Sequence, residues 1–154
     1  MDSHDPAARM RQLIDRAAVL DVVVAYATAL DTRDWAGLES LFTDDAEVDY
    51  GPSVGAAHGP QAIAAVLRRT LEHLDATQHL MGNSVVRVSG DEASHTGYVQ
   101  GQHVRRGVPG GDLYLVAGRY EDRLRRTPDG WRFTYRTLVR SWSQGNRAVV
   151  HGAP

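Results

Sequence analysis

Apolar residues recur with a helical period over the first third of the chain and alternate as in strands over its second half. The spacing predicts a first helix over 6–30 and a short second one over 34–42, where Trp35, Leu38, Leu41 and Phe42 form the apolar side. The stretch 46–50 alternates like a short strand and stops at Gly51-Pro52, after which a loop is expected. Gly59-Pro60 opens a third helix, proline suiting the first helical turn, with Ile63, Val66, Leu67, Leu71 and Leu74 on one face. Four strand-length segments follow, over 77–88, 93–104, 113–124 and 131–142. The turns between them, Ser89-Gly90-Asp91, Arg106-Gly-Val-Pro-Gly-Gly111 and Thr127-Pro-Asp-Gly130, are those of consecutive antiparallel hairpins. Three helices followed by long antiparallel strands predict an α+β fold in which a curved sheet wraps the helices and leaves a cavity at its open end.

Two polar residues interrupt the apolar pattern. At about 100° per residue, Asp31 falls within about 40° of Leu13, Ala17, Leu20, Val24 and Ala27, the stripe expected to face the core. A carboxylate in apolar surroundings needs a partner, and His79, in Thr77-Gln-His-Leu-Met-Gly-Asn83, is the candidate. A carboxylate that holds an imidazole in one tautomer makes it a general base near neutral pH. From the residues alone, simpler readings stand beside this one: Asp31 ends one helix or caps the next, and His79 is a hydrogen-bonded core histidine. Alternation along 77–88 puts His79, Met81 and Asn83 on one face. His103 ends a strand whose odd face carries Gly97, Val99 and Gly101 and whose even face carries Tyr98, Gln100 and Gln102, and the pattern leaves open which face looks inward.

Composition narrows the classes. A chain of 154 residues with no linker or low-complexity tract reads as one domain over 1–154. The net charge of −2, with arginine and acidic residues interspersed, offers no basic field for nucleic acid or anionic lipid. Cysteine is absent, so thiol catalysis, thiolate metal sites and disulfides are excluded. The seven histidines show no HxH or HExxH spacing, and His4, His58, His73 and His151 are scattered, so no metal site is expected. Gly107-Val-Pro-Gly-Gly111 lies between strands, without the helix N-terminus a phosphate loop requires. No apolar run approaches a membrane span and residues 1–6 lack the regions of a signal peptide, so a cytoplasmic protein is expected.

In their order and spacing, Leu30-Asp-Thr-Arg-Asp-Trp35, Leu41-Phe-Thr-Asp-Asp-Ala-Glu-Val48, Thr77-Gln-His79, Gly118-Arg-Tyr-Glu-Asp122 and Asp129-Gly-Trp-Arg132 resemble the SnoaL-like branch of the nuclear-transport-factor-like superfamily. The resemblance covers nearly the whole chain. It implies a cone-shaped α+β barrel of three helices on a curved, mostly antiparallel sheet. It also points to scytalone dehydratases, bile-acid 7α-dehydratases and hexachlorocyclohexane dehydrochlorinases, whose Asp/His dyad Asp31 and His79 match. Tyr26 matches a tyrosine of the bile-acid dehydratases, Tyr50 a pocket tyrosine of the scytalone dehydratases, and Arg136 an active-site arginine of the dehydrochlorinases. Leu30 stands where scytalone dehydratases have a tyrosine, and Tyr26 where the dehydrochlorinases have a lysine. Both departures argue against those two particular substrates.

The expected activity is a cofactor-independent, dehydratase-type elimination on a small, cyclic, mostly apolar substrate. His79, Asp31 and Tyr26 would carry the chemistry, and Tyr50, Asn83, Met81, His103 and Arg136 would bind substrate. The same dyad would serve an isomerase or a polyketide cyclase, and the fold would also serve a ligand-binding or oxygenase small-subunit-like module. Long strands rich in Val, Leu, Tyr and Trp, together with the resemblance, predict a homo-oligomer, trimer favoured over dimer. The tail over 145–154 reads as exposed.

Overall fold

The structure, a computed structural model, describes residues 5–151. Residues 1–4, His4 among them, and residues 152–154 of the tail lie outside the described residues. The elements run α1 (Pro6–Thr32), α2 (Trp35–Glu39), β1 (Phe42–Asp49), β2 (Ala56–His58), α3 (Pro60–Leu71), β3 (Ala76–Ser89), β4 (Glu92–Val104), β5 (Leu113–Thr127), β6 (Gly130–Gly145) and α4 (Ala148–His151). The four helices pack on one six-stranded mixed sheet in the order β2-β1-β6-β5-β4-β3, the α+β fold expected. The hairpins β3–β4, β4–β5 and β5–β6 are antiparallel, while β1 joins β6 in parallel. No described helix is long and apolar enough to cross a membrane.

Local chemistry fixes the ends of α1. The Asp5 side chain accepts from the Ala7 amide at 2.9 Å, Pro6 starts the first turn, and Arg33 closes the helix in the left-handed region at φ 60°. That abrupt stop puts Asp31 in the last turn, beside β3. The buried face of α1 is Val19, Val23, Tyr26 and Leu30, spaced three or four apart. The stripe predicted through Leu13 and Val24 is therefore displaced, for these two side chains are 59% and 57% exposed. The correction also brings Tyr26 inward, on the core face, with Asp31 on its flank. Two short elements add to the expected set: β2 pairs with β1, and α4 folds the tail back so that Val149 is fully buried.

Along β4 burial alternates without a break from Ala93 to His103, so the odd face of the strand is the inner one. His95, Gly97, Val99, Gly101 and His103 thus form a row along the concave wall. A bulge interrupts β3 between Gly82 and Val85, where Asn83 takes φ 50°.

Candidate active site

The concave sheet face, α1, α3 and α4 line a mostly apolar cavity that opens to solvent at its mouth. Leu30, Leu67, Leu71, Val99, Val116 and Leu138 supply apolar parts of its wall, and Tyr26, Tyr50, His79, His103, Tyr114 and Tyr120 bring polar atoms to it. That composition suits a small organic ligand held by a handful of directed contacts.

His79 lies on this wall and is held by Asp31, which does not itself line the cavity. His79 Nδ1 lies 2.7 Å from Asp31 Oδ1, the His79 amide donates to Oδ2 at 2.9 Å, and Thr77 Oγ donates to Oδ1 at 3.0 Å. The Arg33 guanidinium steadies Thr77 by donating to its hydroxyl at 2.8 Å. Burial alone would raise the Asp31 pKa, but the hydrogen bonds from the His79 ring and amide and from Thr77 outweigh it, holding the carboxyl below its ordinary value. Asp31 is thus an anion at neutral pH, and it fixes the imidazole with Nδ1 as donor. Among the described residues Nε2 has no protein partner. It sits over Gly101, its cross-strand neighbour, where a Cβ would come within 3.2 Å of it. The missing side chain makes the room in which the ring lies.

Tyrosines occupy another part of the wall. The Tyr26 and Tyr50 hydroxyls are 2.8 Å apart, and the Tyr26 ring meets Tyr120 edge to face. Burial pushes all three phenols above their ordinary pKa, against the lowering influence of Arg136, so they remain protonated donors. His103 stands edge-on to His79 with 5.8 Å between ring centroids, and its Nδ1 pairs with the Tyr114 carbonyl at 3.1 Å. Burial first, then the charges of His79 and Arg33, lower its pKa to about 4, so the ring is neutral above that pH.

Three expected binding residues lie elsewhere. Arg136 is fully buried but off the cavity wall: it grips Asp122 with two 2.8 Å bonds and stacks its guanidinium 4.1 Å from the Tyr26 ring centroid and 4.0 Å from that of Tyr120. Nε and Nη2 are taken by that ion pair, and Nη1 is buried without a hydrogen-bond partner among the described residues. Asn83 is exposed on the bulge, because the extra residues there break the alternation that would have aligned it with His79. Met81 packs against the core instead of lining the cavity. The tail is not free either, since Val150 and His151 of α4 help close the cavity. Residues that the sequence pattern did not single out are Tyr114, Tyr120 and Arg140, all on the wall. Gly101 belongs to the odd face of β4 whose small residues were expected to leave room beside His103 if that face looked inward, as it does. No cluster of three metal-ligating side chains occurs among the described residues.

Residues 11–137 match the model of the SnoaL-like domain. A protein of Mycobacterium tuberculosis without an assigned activity is 33% identical over 133 residues, covering 86% of this chain and 90% of that one. A scytalone-dehydratase-like protein of Novosphingobium aromaticivorans superposes with a TM-score of 0.79 at 26% identity, covering 88% of this chain and 90% of that one. The dehydrochlorinase LinA superposes at 0.80 with 25% identity, over 95% and 98% of the two chains.

Proposed function

The chain belongs to the SnoaL-like family, and on that footing we propose that it is a cofactor-independent lyase that eliminates water from a small, cyclic, mostly apolar substrate. The observation that carries the reading is the free Nε2 of His79, on the wall of an apolar cavity, with Nδ1 bound to an ionised Asp31. Nε2 takes a proton from the carbon next to a ring carbonyl, and the electron pair left behind forms an enolate. The enolate expels a hydroxyl from the adjacent carbon, and the proton now on His79 leaves with it as water. Asp31 stabilises the imidazolium formed in between. Of the two protons on the Tyr26–Tyr50 pair, one lies between the oxygens and the other is available to the enolate oxygen. Arg136, beneath the Tyr26 and Tyr120 rings, supports these donors from below and does not touch substrate. The dehydratase-like and dehydrochlorinase structures, both named for eliminations, favour this class.

Proton abstraction is testable without the natural substrate. In D₂O the protein should accelerate exchange of the C1 protons of 2-tetralone, followed by NMR, and Asp31→Asn should slow that exchange at least about 100-fold. Wild-type exchange no faster than buffer, or an undiminished Asp31→Asn rate, would refute the reading. The outer sheet face leaves Leu80, Tyr98, Leu113 and Trp142 exposed, which supports association through that face, a trimer before a dimer. Light scattering should give a multiple of the 16.9 kDa chain mass, and a monomer at micromolar concentration would contradict it.

A further inference from the structure

One tyrosine of the cavity wall has an unpartnered hydroxyl. Tyr114 is 2% exposed, lines the cavity, and its phenolic oxygen is buried without a hydrogen-bond partner among the described residues. The other end of the residue is well anchored: β5 pairs Tyr114 with His103 on one side and Gly145 on the other, and its carbonyl receives His103 Nδ1. A buried donor without a partner weakens a fold, and a phenylalanine would fill the same wall without that cost. The neighbouring tyrosines differ, because the Tyr26 and Tyr50 oxygens share a hydrogen bond.

We propose that the Tyr114 hydroxyl is a substrate-recognition group that hydrogen-bonds a second oxygen substituent on the ring, remote from the carbonyl handled by His79 and the Tyr26–Tyr50 pair. The inference rests on the cavity being the substrate site as proposed above, and it narrows the substrate to cyclic ketones or alcohols carrying a further hydroxyl or keto group. Hydrocarbon and halogenated rings leave Tyr114 unsatisfied and are disfavoured. A site built around a buried polar group discriminates strongly against ligands that lack its partner, whereas an apolar wall barely distinguishes them.

Affinities of 2-tetralone and its 6-hydroxy and 7-hydroxy derivatives, measured by protein NMR titration, test this. Wild type should bind one hydroxy derivative about tenfold more tightly than 2-tetralone. Tyr114→Phe should abolish that preference and melt no lower than wild type, since no internal bond is lost. His79→Ala should stop C1 exchange yet keep the preference, so failure of the base and failure of the recognition group read out separately. A wild type with no preference, a preference surviving in Tyr114→Phe, or a marked fall in melting temperature of that variant would each overturn the assignment.

Discussion

Two carboxylate–imidazole pairs among the described residues share the same 2.7 Å contact, and their surroundings set them apart. Asp122 and His95 are both fully buried. Asp122 also holds Arg136 with two bonds, and His95 Nε2 takes Ser84 Oγ at 3.0 Å, so both imidazole nitrogens and both carboxylate oxygens are occupied. Asp31 and His79 form the half-open pair, with the Asp31 side chain 24% exposed and Nε2 of the imidazole unbound beside the cavity. Each ring lies against a glycine of β4, Gly97 under His95 and Gly101 under His79. The contact itself therefore says little about role. What matters is whether the second nitrogen is spoken for.

The largest contrast is expected in stability. Asp122→Ala leaves the Arg136 guanidinium buried without its counter-ion and should cost about 3–5 kcal/mol in urea denaturation. Asp31→Asn, at the partly solvated pair, should stay within about 1 kcal/mol of wild type and can be stabilising, as where a site trades stability for activity. Comparable losses in the two variants would erase the distinction.

Acid should reveal a third imidazole. His103 has a folded pKa of about 4 against 6.5 for the free side chain, so the unfolded chain takes up its proton first as pH falls. Stability from this group is complete above about pH 6.5, declines between about 6.5 and 4, and is lost below, a total of about 3 kcal/mol. Replacing it in His103→Gln should flatten the stability profile across that window, and an unchanged slope would place the titration elsewhere.

The glycines sharpen the comparison at smaller amplitude. A Cβ on Gly97 would sit 2.8 Å from His95 Nε2, so Gly97→Ala should destabilise by about 1–3 kcal/mol and leave exchange per folded molecule intact. On Gly101 the nearest atom of the His79 ring is 3.1 Å away. Gly101→Ala should tilt that ring, lowering exchange about tenfold with little change in melting temperature, because misplacing a base acts on rate before stability. The reverse pattern would exchange the roles assigned to the two pairs.

Much of this was legible in the sequence. Long alternating runs with glycine-rich turns announced β3 to β6. The contact between Asp31 and His79 was expected from the family resemblance and from a helix stripe through Leu13 and Val24 that the fold leaves exposed. The inward face of α1 was harder, because alanine and valine surround the helix between Ala17 and Ala29 and no period singles out one side. The three residues of β2 and the four of α4 are too short to carry a periodic signal. Asn83 was misplaced by one bulge, and Arg136 by its partner: neither the extra residues in β3 nor the Asp122 carboxylate across β5 can be read from a strand pattern. The significance of Tyr114 depends on what fails to reach its hydroxyl, a property of the assembled wall alone.

If His79, and not His95, is the base, their alanine variants must differ in proton exchange. Deuterium incorporation at C1 of 2-tetralone, normalised to folded protein, measures it directly in His79→Ala and His95→Ala side by side. Exchange at the buffer rate in His79→Ala, with a wild-type rate per folded molecule in His95→Ala despite its lower melting temperature, is the predicted result. Retained exchange in His79→Ala, or equal losses in both variants, would contradict it.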